Sequence, residues 1–265
     1  MQLRPRALEV LQIADPLAKA EAARALGLAG REGQLEIDAA PVLPEPHGLP
    51  GRPVRPRLVP VNQVPHRSPK TPEGRAALLH AIAHIEFNAI NLALDAVWRF
   101  AGMPEAFYLD WLRVADEEAL HFRLVRDHLL TLGHEYGDFD AHDGLWRMTE
   151  STKADLVARM ALVPRTLEAR GLDATPPIQA KLRAAGDERA VAILDVILRD
   201  EEGHVAIGNR WYRWLCERDG HDPQALYPQL AARHAAPRLR PPFNRSARLA
   251  AGFSEAELAW LETGG

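Results

Sequence analysis

The sequence predicts an all-α protein: a four-helix bundle with one crossover connection, preceded by an extended Pro-rich N-terminal arm and followed by a C-terminal tail. Three observations predict it. Apolar residues recur every three or four positions over four long stretches, the spacing of one helix face. Capping residues, first-turn prolines and terminal glycines bracket those stretches. No segment alternates apolar and polar residues with the period of a strand.

The elements follow in order. Asp15-Pro16 opens a short helix through Ala20–Leu26 that is expected to end near Gly27. Ten prolines fall between Pro41 and Pro72, so this stretch is neither helix nor central strand. Its valines and leucines (Val42, Leu43, Val54, Leu58, Val59) favour an arm packed on the body over a free linker. Thr71-Pro72-Glu73 caps the first long helix, to about residue 101. Met103-Pro104-Glu105 opens the second, to about 132, before Gly133. Residues 134–147 read as polar loop. The third is expected from Thr149 or Ser151 to about Gly171, with a separate short helix from Thr175-Pro176 to Gly186. Asp187 caps the fourth, which runs through about Asp219 to Gly220, and a last short helix is expected at Ser254–Leu261. The divisions are therefore 1–70 for the arm, 71–220 for the bundle and 221–265 for the tail.

Composition excludes several classes. The formal charge is −4, so the whole chain is not a basic nucleic-acid binder. A single cysteine, Cys216, excludes an internal disulfide, a CxxC pair and a multi-cysteine zinc site, and is expected to be a buried small residue. No stretch reads as a signal peptide or as a transmembrane helix, which makes a cytoplasmic location and no membrane partner the expectation.

The chemistry lies in polar residues on apolar stripes. The second long helix has a stripe of Trp111, Val114, Glu118, His121, Val125 and His128; the fourth has Leu194, Ile197, Glu201, His204, Gly208 and Trp211. Each carries Glu-x-x-His in its middle turn, with both side chains on one face. Glu86 lies among the apolar residues of the first helix, and Glu168 follows Met160, Ala161 and Leu167 on the third. Glu86 precedes Glu118 by 32 residues and Glu168 precedes Glu201 by 33, so Glu…Glu-x-x-His occurs twice, once per helix hairpin. Four carboxylates converging in a dry core repel one another, and two divalent cations remove that repulsion. Oxygen ligands with one imidazole per ion suit Fe or Mn. The competing reading, solvated acidic faces, would turn Trp111, Val114, Ile197 and Trp211 outward.

The runs HAIAHIEFNAINLALDAVWRF, ADEEALHFRLV and LRDEEGHVAIGNRWY resemble the ferritin-like di-iron carboxylate superfamily. Within it they are most similar to a bacterial family with only a domain-of-unknown-function label, itself distantly similar to tRNA-modifying di-iron monooxygenases. The resemblance covers about residues 70–220 strongly and the arm and tail loosely, and implies Glu86, Glu118, His121, Glu168, Glu201 and His204 as ligands of two Fe ions, or of Mn. Glu168 sits one turn after Pro164, which frees the carbonyl of Met160 and is expected to kink the helix. In related bundles the acid before each motif glutamate bonds the histidine of the opposite hairpin, which pairs Asp200 with His121 and Glu117 with His204; the alternative is that both are surface acids.

Three functions fit such a site: an oxygen-dependent oxidase or monooxygenase, a protein that binds or oxidises metal without an organic substrate, and a structural metal site. The arm and tail favour the enzyme, because they would cover the helix faces through which cage ferritins assemble. Its partners would be O₂ and a small-molecule substrate. No flavin or nicotinamide fingerprint is present, so a reductase would be a separate chain. A tRNA partner is the weaker reading, because the arginines of the arm and tail read as anchoring residues. His80 and His84 are expected to be exposed or capping, and Trp111 and Trp211 to be core.

Overall fold

The computed structural model describes residues 1–263. Those residues form an all-helical protein without a strand; the pairs Gln2–Glu36 and Leu58–Ala141 are isolated bridges. The chain divides into two units, Met1–Trp146 and Arg147 onward.

In the first unit, helix α1 (Leu3–Leu11) packs on α3 (Pro72–Arg99), α2 (Pro16–Arg31) packs on α4 (Glu105–Thr131), and α3 packs along α4. The expected caps are in place: Asp15 accepts from the amide of Ala18 at 2.8 Å and Thr71 from that of Gly74 at 3.1 Å. Helix α2 does not end near Gly27. A Cβ there would lie 2.6 Å from the side chain of Asp116, and one at Gly30 would lie 2.6 Å from that of Leu112. These glycines permit close contact with α4 inside a continuing helix. Helix α1 was not expected; it is held by fully buried Leu3, Ala7, Val10 and Leu11.

The arm is extended apart from one 3₁₀ turn (Val61–Gln63). It is anchored within its unit. Arg52 bonds Asp143 at 2.9 Å, Arg57 bonds Asp140 at 2.5 Å, and the amide of Val59 donates to Ala141 at 2.8 Å. Lys19 is fully buried, donating to the carbonyl of Gly51 (2.8 Å) and to Asn91 Oδ1 (2.6 Å) while lying over the ring of Phe87. Burial pushes its ammonium down to about 7. By length and composition α3 could cross a bilayer, but most of it is buried in the protein. Its polar residues have protein partners, Asn91 with Lys19 and Asp95 with Arg99.

Helix α5 (Gly144–Ser151) begins inside the expected loop. The second unit then runs through α6 (Leu156–Leu162), a π-helical turn (Val163–Glu168), α7 (Ala169–Ala184), α8 (Glu188–Asp219), α9 (Pro223–Arg233), α10 (Arg245–Ala250) and α11 (Glu255–Glu262). Helix α8 has the predicted bounds, and Ser254 caps α11 in a capping box. The third helix departs from expectation. Pro164 supplies no amide hydrogen, and the helix widens into the π turn, in which the Thr166 hydroxyl donates to the carbonyl of Ala161 at 2.8 Å. No separate helix starts at Thr175. Helix α7 continues through Pro176 and Pro177, because buried Leu172 and Gln179 hold it, with Gln179 donating to Asp195 on α8 at 2.6 Å. The tail also contains α9 and α10, and fully buried Arg248 ties α10 to Asp173 of α7 at 2.6 Å. Cys216, Trp111 and Trp211 are buried as expected.

Candidate metal centre

In the first unit, Glu86 stands on α3 and Glu118 and His121 stand one turn apart on α4, all three buried. His121 Nδ1 lies 3.3 Å from Glu86 Oε2 and 3.4 Å from Glu118 Oε2. The three offer ligand atoms within 4.8 Å of one another. Burial raises the Glu86 carboxyl, the charge of Glu118 raises it further, and His121 opposes both. A cation among these atoms would remove the repulsion, and two carboxylate oxygens with an imidazole nitrogen suit a divalent metal.

The ring of Tyr136 packs on Phe87 and Phe122, the residues that follow Glu86 and His121, at centroid distances of 5.7 and 5.3 Å. Tyr136 lies in the stretch read as polar loop; its place in HEYGDFD, among charged and small residues, was the available signal. His80 and His84 are buried, contrary to expectation, and hold this loop. The carbonyl of His142 can only accept, so the His84 Nε2 at 3.0 Å from it carries the proton. His84 Nδ1 then accepts from Tyr136 at 2.9 Å. His80 Nε2 accepts from the amide of Gly137 at 2.9 Å.

Burial lowers the His80 imidazole from 6.5 to about 4. Between those values the unfolded chain binds a proton that the folded one does not. Stability is therefore expected to fall by on the order of 3 kcal/mol as the pH drops from 6.5 to 4. Urea titrations at a series of pH values should show a flatter profile for His80→Phe than for the unaltered protein; equal slopes would contradict the assignment.

In the second unit, Glu201 and His204 repeat the arrangement on α8, with Nδ1 3.9 Å from Glu201 Oε2. His204 is fully buried and Glu201 nearly so. Glu168 is buried and closes the π turn, which packs against α8. The two acids that precede the motif glutamates lie partly exposed. Glu117 accepts from Arg113 at 2.9 Å and Asp200 from Arg199 at 2.9 Å.

The model of a family described as a protein of unknown function, DUF455, matches residues 12–259. The chain belongs to the DUF455 family. An uncharacterized protein of Haemophilus influenzae is 54% identical to this DUF455 chain over 216 residues, 79% of the chain and 75% of the relative. No solved structure matches it.

Proposed function

We propose that this DUF455 chain is a dinuclear metal carboxylate protein. In this reading α3, α4, the α6–α7 segment and α8 form a ferritin-like four-helix bundle with one crossover. Glu86, Glu118 and His121 meet Glu168, Glu201 and His204 around two Fe ions, with Mn as the alternative metal. The observation that carries it is the buried triad of Glu86, Glu118 and His121, two carboxylates and an imidazole within 4.8 Å of one another. The repeated Glu-x-x-His of α8, buried in the same way, extends it.

Held by these carboxylates, two ferrous ions would supply electrons for O₂ reduction, and the reaction class that fits is oxidase or monooxygenase chemistry on a small molecule, with a separate reductase. The chain's own residues have simpler tasks. Glu86 and Glu118 would neutralise the ions, His121 and His204 present Nδ1 toward the carboxylates of their own turns, and the packed rings of Phe87, Phe122 and Tyr136 would limit the entry of water. The second reading is a metal-binding protein without an organic substrate, for which the same donor set serves. A tRNA substrate is disfavoured, because Arg52, Arg57, Arg67, Arg245 and Arg248 already pair with carboxylates of their own unit.

Purified protein is expected to carry about two Fe or Mn per chain by elemental analysis. A content below about one-half would count against the paired site. Reduced protein should consume O₂ without building a mineral core; growth of a core of many irons per chain would move the assignment to storage.

A further inference from the structure

On α8, in the second unit, Ala206, Arg213, Trp214 and Glu217 line an open hollow of about 380 Å³. Residues 250–252, where α10 ends, also line it. The volume is that of a small-molecule cleft. Two bonds tie the backbone after α10 to α8. The buried Asn209 donates through Nδ2 to the carbonyl of Ala251 at 2.7 Å, and Arg213 Nη2 donates to the carbonyl of Gly252. The indole of Trp214 is half-buried and set edge-on to Trp211, with ring centroids 5.5 Å apart. The walls are therefore fixed before any ligand arrives.

Two charges in this hollow are uncommitted. Arg165 and Arg213 share one carboxylate, that of Glu257, so the three side chains keep one positive charge. Arg213 uses only Nη2 on the protein. Its Nε and Nη1 have no acceptor among the described residues, and neither nitrogen is buried. Glu217 follows one turn later; it is exposed, and its carboxylate has no partner among the described residues. The two side chains do not pair, although residues four apart on a helix are neighbours. Arg213 is turned instead toward Gly252 and Glu257, and a cation before an acid is the weaker order on a helix. A charged donor and a charged acceptor thus stand about 6 Å apart at Cβ, beside an indole ring.

The geometry points to a binding site for a zwitterionic α-amino acid with an apolar side chain. Its carboxylate takes the spare N–H groups of Arg213, its ammonium meets Glu217, and its side chain lies against Trp214 and Ala206. A plain carboxylate would meet repulsion from Glu217, and a plain amine would meet it from Arg213. Only a ligand that carries both charges satisfies both ends. None of these residues belongs to the proposed metal ligands, and the assignment does not depend on metal binding.

The test titrates three probes into the full-length protein: L-phenylalanine, phenylpropionate, which lacks the ammonium, and phenethylamine, which lacks the carboxylate. Binding is read from the indole N–H of Trp214 in nitrogen–proton NMR spectra, assigned as the signal that Trp214→Phe removes. Phenylalanine is expected to shift that signal saturably. Each of the other two should bind at least about threefold more weakly, the effect of losing one partly exposed ion pair. Glu217→Gln removes the acceptor without breaking a protein contact, and should bring phenylalanine down to the affinity of phenylpropionate. Any of three results overturns the proposal: a Trp214 signal unmoved by phenylalanine, phenylpropionate or phenethylamine bound as tightly as phenylalanine, or unchanged phenylalanine affinity in Glu217→Gln.

Discussion

Glu118→Ala is expected to reduce the metal content from about two ions per chain to less than about one-half, while the far-ultraviolet circular dichroism stays helical. The contrast follows from where the side chain sits. Glu118 is fully buried on α4, beside donors that would share an ion with it, His121 at 3.4 Å and, through it, Glu86. Removing it takes away ligand charge. It also takes away the like charge that, after burial, raises the Glu86 carboxyl. The metal-free variant should therefore unfold at no lower a temperature than metal-free parent protein, apart from the small cavity left by the truncation. Glu118→Gln, which keeps the volume, separates the two effects: it should lose metal as the alanine variant does. His204→Ala should lose metal too if the α8 motif belongs to the same centre. Full retention of metal in Glu118→Ala would remove the basis of the proposed function. Loss of metal in Glu118→Ala but not in His204→Ala would confine the site to the first unit.

Gly208→Val is expected to destabilise the second unit by about 3 kcal/mol. A Cβ at position 208 would lie 2.5 Å from the Cβ and 2.6 Å from the Cγ of Pro164. A proline ring cannot rotate away as a lysine or methionine tip can, so the π turn must move bodily or α8 must give way. Thermal melts should show a fall of several degrees, and because the displaced turn ends at Glu168, metal content should fall with it. Gly171→Ala gives the opposite sign in the same region. A Cβ there meets nothing within 4 Å, and alanine in a helix interior is favoured over glycine by roughly 0.5–1 kcal/mol. If Gly208→Val melted with the parent protein, the close packing of α8 on the π turn would be refuted.

Much of the helical order was legible because it is written locally. Asp15, Thr71 and Asp187 each cap the helix they were expected to cap, since a side-chain oxygen meets amides only two or three residues away. The stripe on α4 likewise placed Glu118 and His121 inside, as neighbours in contact. Where reading failed, a local signal was outweighed by a distant partner. Gly27 resembles a helix stop but lies against Asp116, and Pro176 resembles a helix start but lies inside a helix held by α8. His80 and His84 look like surface residues of α3 until a loop more than fifty residues later supplies their partners.

The sequence by itself determined the all-helical class, the termini of α3, α4 and α8 to within about two residues, and the acids and histidines set on apolar stripes, because each of these is fixed by neighbours within one or two turns. Only the tertiary structure decided that Glu86 approaches the α4 pair, that Tyr136 packs on Phe87 and Phe122, and that Pro164 stands in a π turn that ends at Glu168. Those features depend on side chains brought together from separate segments, and no spacing along a chain reports the distance between two helices once they pack.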